Sequence, residues 1–369
     1  MNVLVTGANG FVGKNLVATL KTLPEIVVYE YTRDSSEHDL ARYSQDADFV
    51  FHLAGVNRPK EESEFMEGNY ELTAQLLAKL RQHQNKAPIL MTSSIQAELD
   101  NPYGRSKLAG EELIRDYGVE HTIPTYVYRL PNLFGKWSKP NYNSVIATFC
   151  SNVANEQAIS VNNPNTELTL AYIDDVVAEF LRAMSGEGYK KSGYGAIPTI
   201  YNVILGEVAE LITSFKGSRQ SLLVPDMAND FVRKLYSTYL SYLPQDGFSY
   251  PLTMHQDDRG SFTEFVKSPN GGQVSINISK PGITKGNHWH HTKNEKFLVV
   301  KGAGVIRFRH ISSEEIIEYH VSGDKLEVVD IPVGYTHSIV NIGEEDMVTV
   351  MWVNELFDPN NPDTYFMEV

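Results

Sequence analysis

The chain has 369 residues, 42% of them hydrophobic, enough for two or three domains that each bury a core. A net charge of −14 argues against a nucleic-acid partner, and the single cysteine, Cys150, excludes an intrachain disulfide. Strand-like residues begin at Asn2 and no apolar run reaches the length of a membrane span, so a cytoplasmic protein with no membrane partner is expected.

The first two-thirds alternates short apolar runs with longer helical patterns. "NVLVTG" reads as a strand and "GKNLVATLKTL" as a helix; "EIVVYEYTR" and "ADFVFHLAG" read as strands, "YELTAQLLAKLRQH" as a helix and "APILMTSS" as a strand. Strand–helix alternation of this kind predicts an α/β fold with a parallel sheet covered on both faces. "FVRKLYSTYLSYLP" reads as a helical connector. Beyond Asp246 the pattern turns to short strands punctuated by Gly, Pro and Asn: "GGQVSINIS", "KFLVVKG", "GVIRFRH", "KLEVVDIP" and "DMVTVMWV". That spacing predicts an all-β barrel or sandwich. The expected domains are residues 1–245 and 246–369.

"VTGANGFVG" spaces Gly7, Gly10 and Gly13 three residues apart between the first strand and a helix. Glycines there permit a tight turn and let a pyrophosphate approach the helix N-terminus. Tyr103 and Lys107 in "NPYGRSK" are four apart, so on a helix they share a face. An ammonium beside a phenol lowers the phenol pKa, which would prepare Tyr103 for proton transfer near neutrality. The preceding strand ends in three hydroxyl residues, Thr92, Ser93 and Ser94, any of which could hold a substrate oxygen. Near the end of the second strand, Arg33 could hold the 2′-phosphate of NADPH, whereas Glu30 could bind the ribose of NAD; the position of Arg33 favours NADPH.

In the last third, His288 and His290 are two apart in an expected strand and point to one face, while His291 points away. Glu295 follows, and His337 arrives from a distant segment. Three imidazoles and a carboxylate suit zinc, and also manganese, iron or nickel.

With "VFHLAG" (50–55), "RLPNLFG" (129–135) and "AYIDDVV" (171–177), the N-terminal motifs resemble the extended short-chain dehydrogenase/reductase family of nucleotide-sugar enzymes. The resemblance covers residues 1 to about 240. It implies a Rossmann-like fold and cofactor contacts from Thr6, Gly7, Asn9, Gly10, Phe11, Val12, Gly13, Leu53, Ala54 and Gly55, with Tyr103 and Lys107. It also implies a Ser/Thr–Tyr–Lys triad, with Ser94 favoured over Ser93 and Thr92, and substrate contact from Asn132. The pattern G–x5–HxH–x4–E–x6–G from Gly282 to Gly302, followed by "PVGYTH", resembles the cupin (jelly-roll) family, whose metal ligands would be His288, His290, Glu295 and His337. "DDRGSFTEF" (257–265) and "KGNHW" (285–289) are similar to sugar-nucleotide 3,5-epimerases.

The combination resembles the bifunctional enzymes of bacterial capsular polysaccharide synthesis. It implies C3 epimerisation of a UDP-activated 4-keto-6-deoxy amino sugar, UDP-2-acetamido-2,6-dideoxy-4-keto-L-hexose. NADPH reduction at C4 would then give the β-L-talose product, on the route to UDP-N-acetyl-L-fucosamine. A homodimer is expected. The competing reading is a single NADPH-dependent reductase whose cupin only binds sugar and dimerises.

Overall fold

A computed structural model describes all 369 residues. It divides into two compact units, Met1–Thr213 with Lys234–Pro244, and Ser214–Arg233 with Gln245–Val369. The expected connector is the helix Asp230–Leu240, and most of it belongs to the first unit. The preceding residues, 214–233, belong to the second, where Val224 N–H donates to the Lys267 carbonyl and Lys267 N–H to the Leu222 carbonyl, each at 2.8 Å.

The strands of the first unit are β1 (Asn2–Thr6), β2 (Val27–Tyr31), β3 (Phe49–His52), β4 (Ile89–Ser94), β5 (Thr125–Leu130), β6 (Asn132–Phe134), β7 (Glu167–Tyr172), β8 (Lys190–Lys191), β9 (Tyr194–Gly195) and β10 (Tyr201–Ile204). Seven of them form one sheet in the order β2-β1-β3-β4-β5-β9-β8, and every pair from β2 to β9 is parallel. Successive side chains enter opposite cores: Val3 and Val5 pack with Phe49, Phe51 and Leu90, while Leu4 packs with Val50, Ile89 and Met91. A sheet buried on both faces accounts for the unbroken apolar runs of β1 and β3. Because β1 lies between β2 and β3, the chain order reverses there, and a crevice for ligands opens at the C-terminal ends of these strands.

The second unit contributes β11 (Met254–Asp257), β12 (Gly260–Ser268), β13 (Gly272–Ser279), β14 (Thr284–Trp289), β15 (Glu295–Lys301), β16 (Ala303–His310), β17 (Ile316–Ser322), β18 (Val328–Ile331), β19 (Tyr335–Asn341), β20 (Met347–Val353) and β21 (Tyr365–Phe366). They form two antiparallel sheets, β11-β12-β13-β20-β15-β18 and β17-β16-β19-β14-β21. Phe297, Val299 and Met347 of one sheet pack with Ile306, Phe308 and Ile339 of the other, so the core lies between them as in a jelly roll. One irregularity matters for function. In β14, Gly286 pairs with Ser338 but His288 pairs with His337, so Asn287 is an extra residue, held at φ +60°. A one-residue bulge reverses the in–out alternation. Lys285, opposite Ile339, and His288, opposite His337, therefore both face the interior.

Candidate active site and metal centre

The glycine turn has the form of a dinucleotide cradle. Gly7 sits at φ +69°, and a Cβ there would come 2.7 Å from the Ala54 nitrogen; one at Gly13 would come 2.2 Å from the Gly7 oxygen. Only glycine fits either place. Gly10, the exposed N-cap of the helix Phe11–Leu20, would bring a Cβ near the Gly7 oxygen alone, at 3.1 Å, leaving its outer side open at a helix N-terminus. Asn9 is exposed beside it, and Phe11 and Val12 are half-buried in the first helical turn. Thr6 lies beneath this surface. It is fully buried, its hydroxyl bonded to His52 Nδ1 at 2.8 Å and accepting from Ala54 N–H at 3.3 Å. His52 Nε2 reaches Thr73 Oγ1 at 2.9 Å, so this imidazole bridges the turn to the helix Leu72–Gln82. Burial, reinforced by the charge of Lys107, lowers its pKa to about 3 and keeps it neutral.

Leu53, Ala54 and Gly55 line the crevice after β3. A Cβ on Gly55 would fall 2.6 Å from Asn69 Oδ1 and 3.3 Å from Lys107 Nζ. Asn69 lies in a π-turn, Glu67–Glu71, where the expected helix is locally widened. Its amide bonds Val56 in both directions and donates to Ser106 Oγ at 3.0 Å, and Ser106 donates to the Tyr103 carbonyl at 2.8 Å. Neither His52 nor Asn69 stood out in the sequence, since a buried polar side chain betrays itself only by its partners.

Tyr103 and Lys107 share the inner face of the helix Pro102–His121, which is capped by Asn101 with Pro102 at its start. Lys107 is buried and donates to the Thr92 carbonyl at 2.9 Å; burial lowers its pKa to about 8, against the raising effect of Glu111. The expected lowering of the Tyr103 pKa is not found. Burial raises it, and a hydrogen bond with Ser94 only partly offsets this. Desolvation sets the direction, and the phenol keeps its proton. The three hydroxyls also separate. Ser93 is buried and donates to Glu111 Oε1 at 2.5 Å, within the Glu111–Arg129 ion pair at 2.8 Å. Ser94 is the one beside Tyr103. Thr92 lies two residues back on the Ser94 face of β4.

Arg33 is exposed just beyond β2 and makes no ion pair, whereas Glu30 is held by Lys21 at 2.6 Å. Asn132 opens a separate cavity of about 460 Å³ lined by Arg58, Tyr142, Ser144 and Thr148.

In the second unit one ligand atom each of His288, His290, Glu295 and His337 lies within 4.8 Å of the others. β14 carries His288, the turn after it His290, β15 Glu295 and β19 His337. The fit to a metal is chemical as well as spatial. His290 Nε2, Glu295 Oε2 and both His337 ring nitrogens are buried with no hydrogen bond of good geometry, Glu295 Oε2 lying 3.2 Å from His337 Nε2 and 3.6 Å from His290 Nε2; a cation among them would satisfy the carboxylate and one nitrogen of each imidazole. Burial pushes the Glu295 pKa up, but His290 and His337 outweigh it and hold it at about 2; burial and the other imidazoles lower His288 to about 4. Glu295 is then a carboxylate and His288 a neutral imidazole, the forms that bind metal. His291 is exposed, its ring against Trp289 and Tyr365, away from the quartet. A cavity of about 590 Å³ adjoins His288, Glu295 and His337 and is also lined by Lys285, Asn277 and Arg259. Lys285 Nζ donates to Asn277 Oδ1 at 2.7 Å and to the Ile278 carbonyl at 2.8 Å, and burial lowers its pKa.

Residues 3–203, more than half of the chain, match the NAD dependent epimerase/dehydratase family. The chain belongs to that family. Residues 255–365 match the polysaccharide biosynthesis C-terminal domain. UDP-2-acetamido-2,6-beta-L-arabino-hexul-4-ose reductase of Pseudomonas aeruginosa is 48% identical over 369 residues, covering 100% of this chain and 99% of its own. The structure of capsular polysaccharide assembling protein CapF from Staphylococcus aureus superposes with a TM-score of 0.95 at 59% identity, covering 100% of both chains. CapF with the inhibitor 3-isopropenyl-tropolone gives 0.89 at 55%, again over 100% of both. The nicotinamide-dinucleotide crevice and the jelly roll thus recur together across whole chains. No helix is long and apolar enough to cross a membrane.

Proposed function

We propose that this chain performs two successive reactions on a UDP-activated 4-keto-6-deoxy amino sugar of capsular polysaccharide synthesis: C3 epimerisation in the jelly roll, then NADPH-dependent reduction of the C4 ketone. The observation that carries this reading is the pair of separate constellations in one chain, half-buried Tyr103 and Ser94 with buried Lys107, and a His3Glu quartet of which His290, Glu295 and His337 are buried. The relative at 48% identity, named as a reductase of a UDP-linked hexul-4-ose, supports the substrate class.

For the reduction, NADPH lying in the glycine cradle would supply the hydride. Ser94 holds the C4 oxygen by hydrogen bonding, and Tyr103 donates its phenolic proton to that oxygen as it gains charge. A raised phenol pKa suits this direction, because the donor must arrive protonated. Lys107 places a positive charge beside the phenolate that is left. Arg33 binds the 2′-phosphate, and Asn132 with Arg58 takes the nucleotide diphosphate in its cavity.

For the epimerisation, a ketone acidifies the adjoining C3–H. A divalent metal, zinc above all, held by His288, His290, Glu295 and His337 would act as a Lewis acid toward the 4-oxo group. His288 is then a ligand, so the proton needs another carrier. Of the other ionisable side chains lining the cavity, His255, Asp257 and Arg259 are exposed, and the last two pair with each other at 2.6 Å. Lys285 is half-buried and bonded only to amide and carbonyl oxygens, so its Nζ takes up the C3 proton, and the enolate regains a proton from solvent on its opposite face. Epimerisation precedes reduction, because an alcohol at C4 no longer acidifies C3. The chain acts as a homodimer.

The test is turnover of the 4-keto UDP-sugar with NADPH. One NADPH consumed per product, with a new hydrogen at C4, is expected. Turnover without net NADPH consumption would instead make the first unit a redox-neutral 4-epimerase.

A further inference from the structure

His290 is held differently from the other members of the quartet. Its Nδ1 lies 2.6 Å from the main-chain carbonyl of Asp363, 73 residues further along. A carbonyl oxygen carries no proton, so Nδ1 must be the donor. The imidazole is thereby fixed in the tautomer whose bare nitrogen is Nε2, the buried atom without a partner. His337 has no such support at either ring nitrogen.

The Asp363 carbonyl is itself held in an unusual direction. Asp363 adopts φ +39°, a left-handed backbone that side-chain-bearing residues seldom take. Its carboxylate accepts the main-chain N–H groups of His291 at 3.0 Å, Thr292 at 2.8 Å and Lys293 at 2.9 Å, with the Thr292 hydroxyl at 3.1 Å. Burial pushes its pKa up, but these bonds together outweigh that and hold it well below the usual carboxylate range. The three N–H groups belong to the turn that runs from His290 to Glu295. One residue therefore grips this turn with its side chain and His290 with its main chain. Nearby contacts make the same segment a strap: Lys293 Nζ donates to the Pro362 carbonyl, and Tyr365 of β21 packs tilted against Trp289, ring centroids 5.0 Å apart.

We propose that Asp363 is a positioning residue of the metal centre. Its carboxylate gathers the turn His291–Lys293 and so aims its own carbonyl at His290 Nδ1, presenting Nε2 to the metal. This rests on reading the quartet as a metal site. A partner outside the ligand set that fixes tautomer and ring direction is worth about 10–100-fold in metal affinity.

The test uses the full chain, with Zn2+ affinity measured at 25 °C by competition with a chromophoric chelator and ligand geometry read from the visible absorption of the Co2+-loaded protein. Asp363→Ala should bind Zn2+ about tenfold or more weakly and alter the Co2+ spectrum. Asp363→Gly, which takes φ +39° without strain and so favours folding, should lose affinity in the same way because it lacks the carboxylate. Asp363→Asn, which keeps an acceptor oxygen and tolerates the left-handed backbone, should recover most of the affinity. Folded Ala and Gly variants with wild-type Zn2+ affinity and an unchanged Co2+ spectrum would overturn the proposal, leaving Asp363 a loop anchor that affects only melting. Failure of the wild-type chain to bind Zn2+ or Co2+ would overturn the metal reading itself, and this proposal with it.

Discussion

Ser93 and Glu111 are joined by a 2.5 Å hydrogen bond between buried groups, and Glu111 is paired in turn with Arg129. This bond engages the Ser93 hydroxyl, while Ser94 stands beside Tyr103. Ser93→Ala should therefore act on stability, by about 1–3 kcal/mol, because a buried carboxylate loses a donor. Activity per folded molecule should persist. Ser94→Ala should do the reverse, lowering kcat for reduction by about 10²-fold with only the small loss of stability that follows from its lost bond to Gln96 N–H. Thermal melts and steady-state kinetics on both variants separate the two roles.

Tyr103→Phe should abolish NADPH oxidation, since it removes the proposed proton donor to the C4 oxygen. Exchange of the C3 proton, proposed for the second unit, should continue at the wild-type rate. Reduction at a near wild-type rate would remove Tyr103 from the triad.

Arg33→Ala should weaken NADPH by about 1.5–3 kcal/mol, the range for a hydrogen bond to a charged group, and leave NADH almost unaffected. Arg33 makes no ion pair and Glu30 is already engaged by Lys21, so the guanidinium is free to meet the 2′-phosphate that only NADPH carries. Isothermal titration with both cofactors decides; equal losses would place the 2′-phosphate elsewhere.

His52 links pH to the stability of the first unit. Burial depresses its folded pKa from 6.5 to about 3, so between these values the unfolded chain binds the extra proton. Its contribution is fully present above pH 6.5 and is lost as pH falls toward 3, on the order of 4 kcal/mol in all. His52→Gln, less stable at pH 7, should lose less over pH 6.5 to 4. Denaturant titrations across that range would show parallel slopes for the two proteins if His52 titrated normally.

Much of this was legible in the chain because the features are local. The glycine spacing, the four-residue step from Tyr103 to Lys107 and the HxH–Glu run depend only on helix and strand geometry, which nearby residues impose. Other features depend on distant contacts. Ser93 and Ser94 are alike in sequence until Glu111 takes one of them. The sign of the Tyr103 shift is set by burial, which no spacing reveals. Lys285 is three residues before His288, and simple alternation would turn one of them outward; the bulge at Asn287 brings both inside. Asp363 lies near the C-terminus in a stretch with no metal-site pattern, and its role follows only from the fold.

The central claim is that two chemistries occur in one chain, and the C3 proton tests it most directly. The wild-type protein, loaded with Zn2+, is incubated with the 4-keto UDP-sugar in D2O without NADPH and followed by proton NMR. The C3 signal should disappear with inversion at C3 while the C4 ketone remains, and His337→Ala, lacking metal, should exchange far more slowly. A C3 proton that exchanges no faster with the wild-type protein than in its absence would contradict the account and reduce the jelly roll to a binding module on a single reductase.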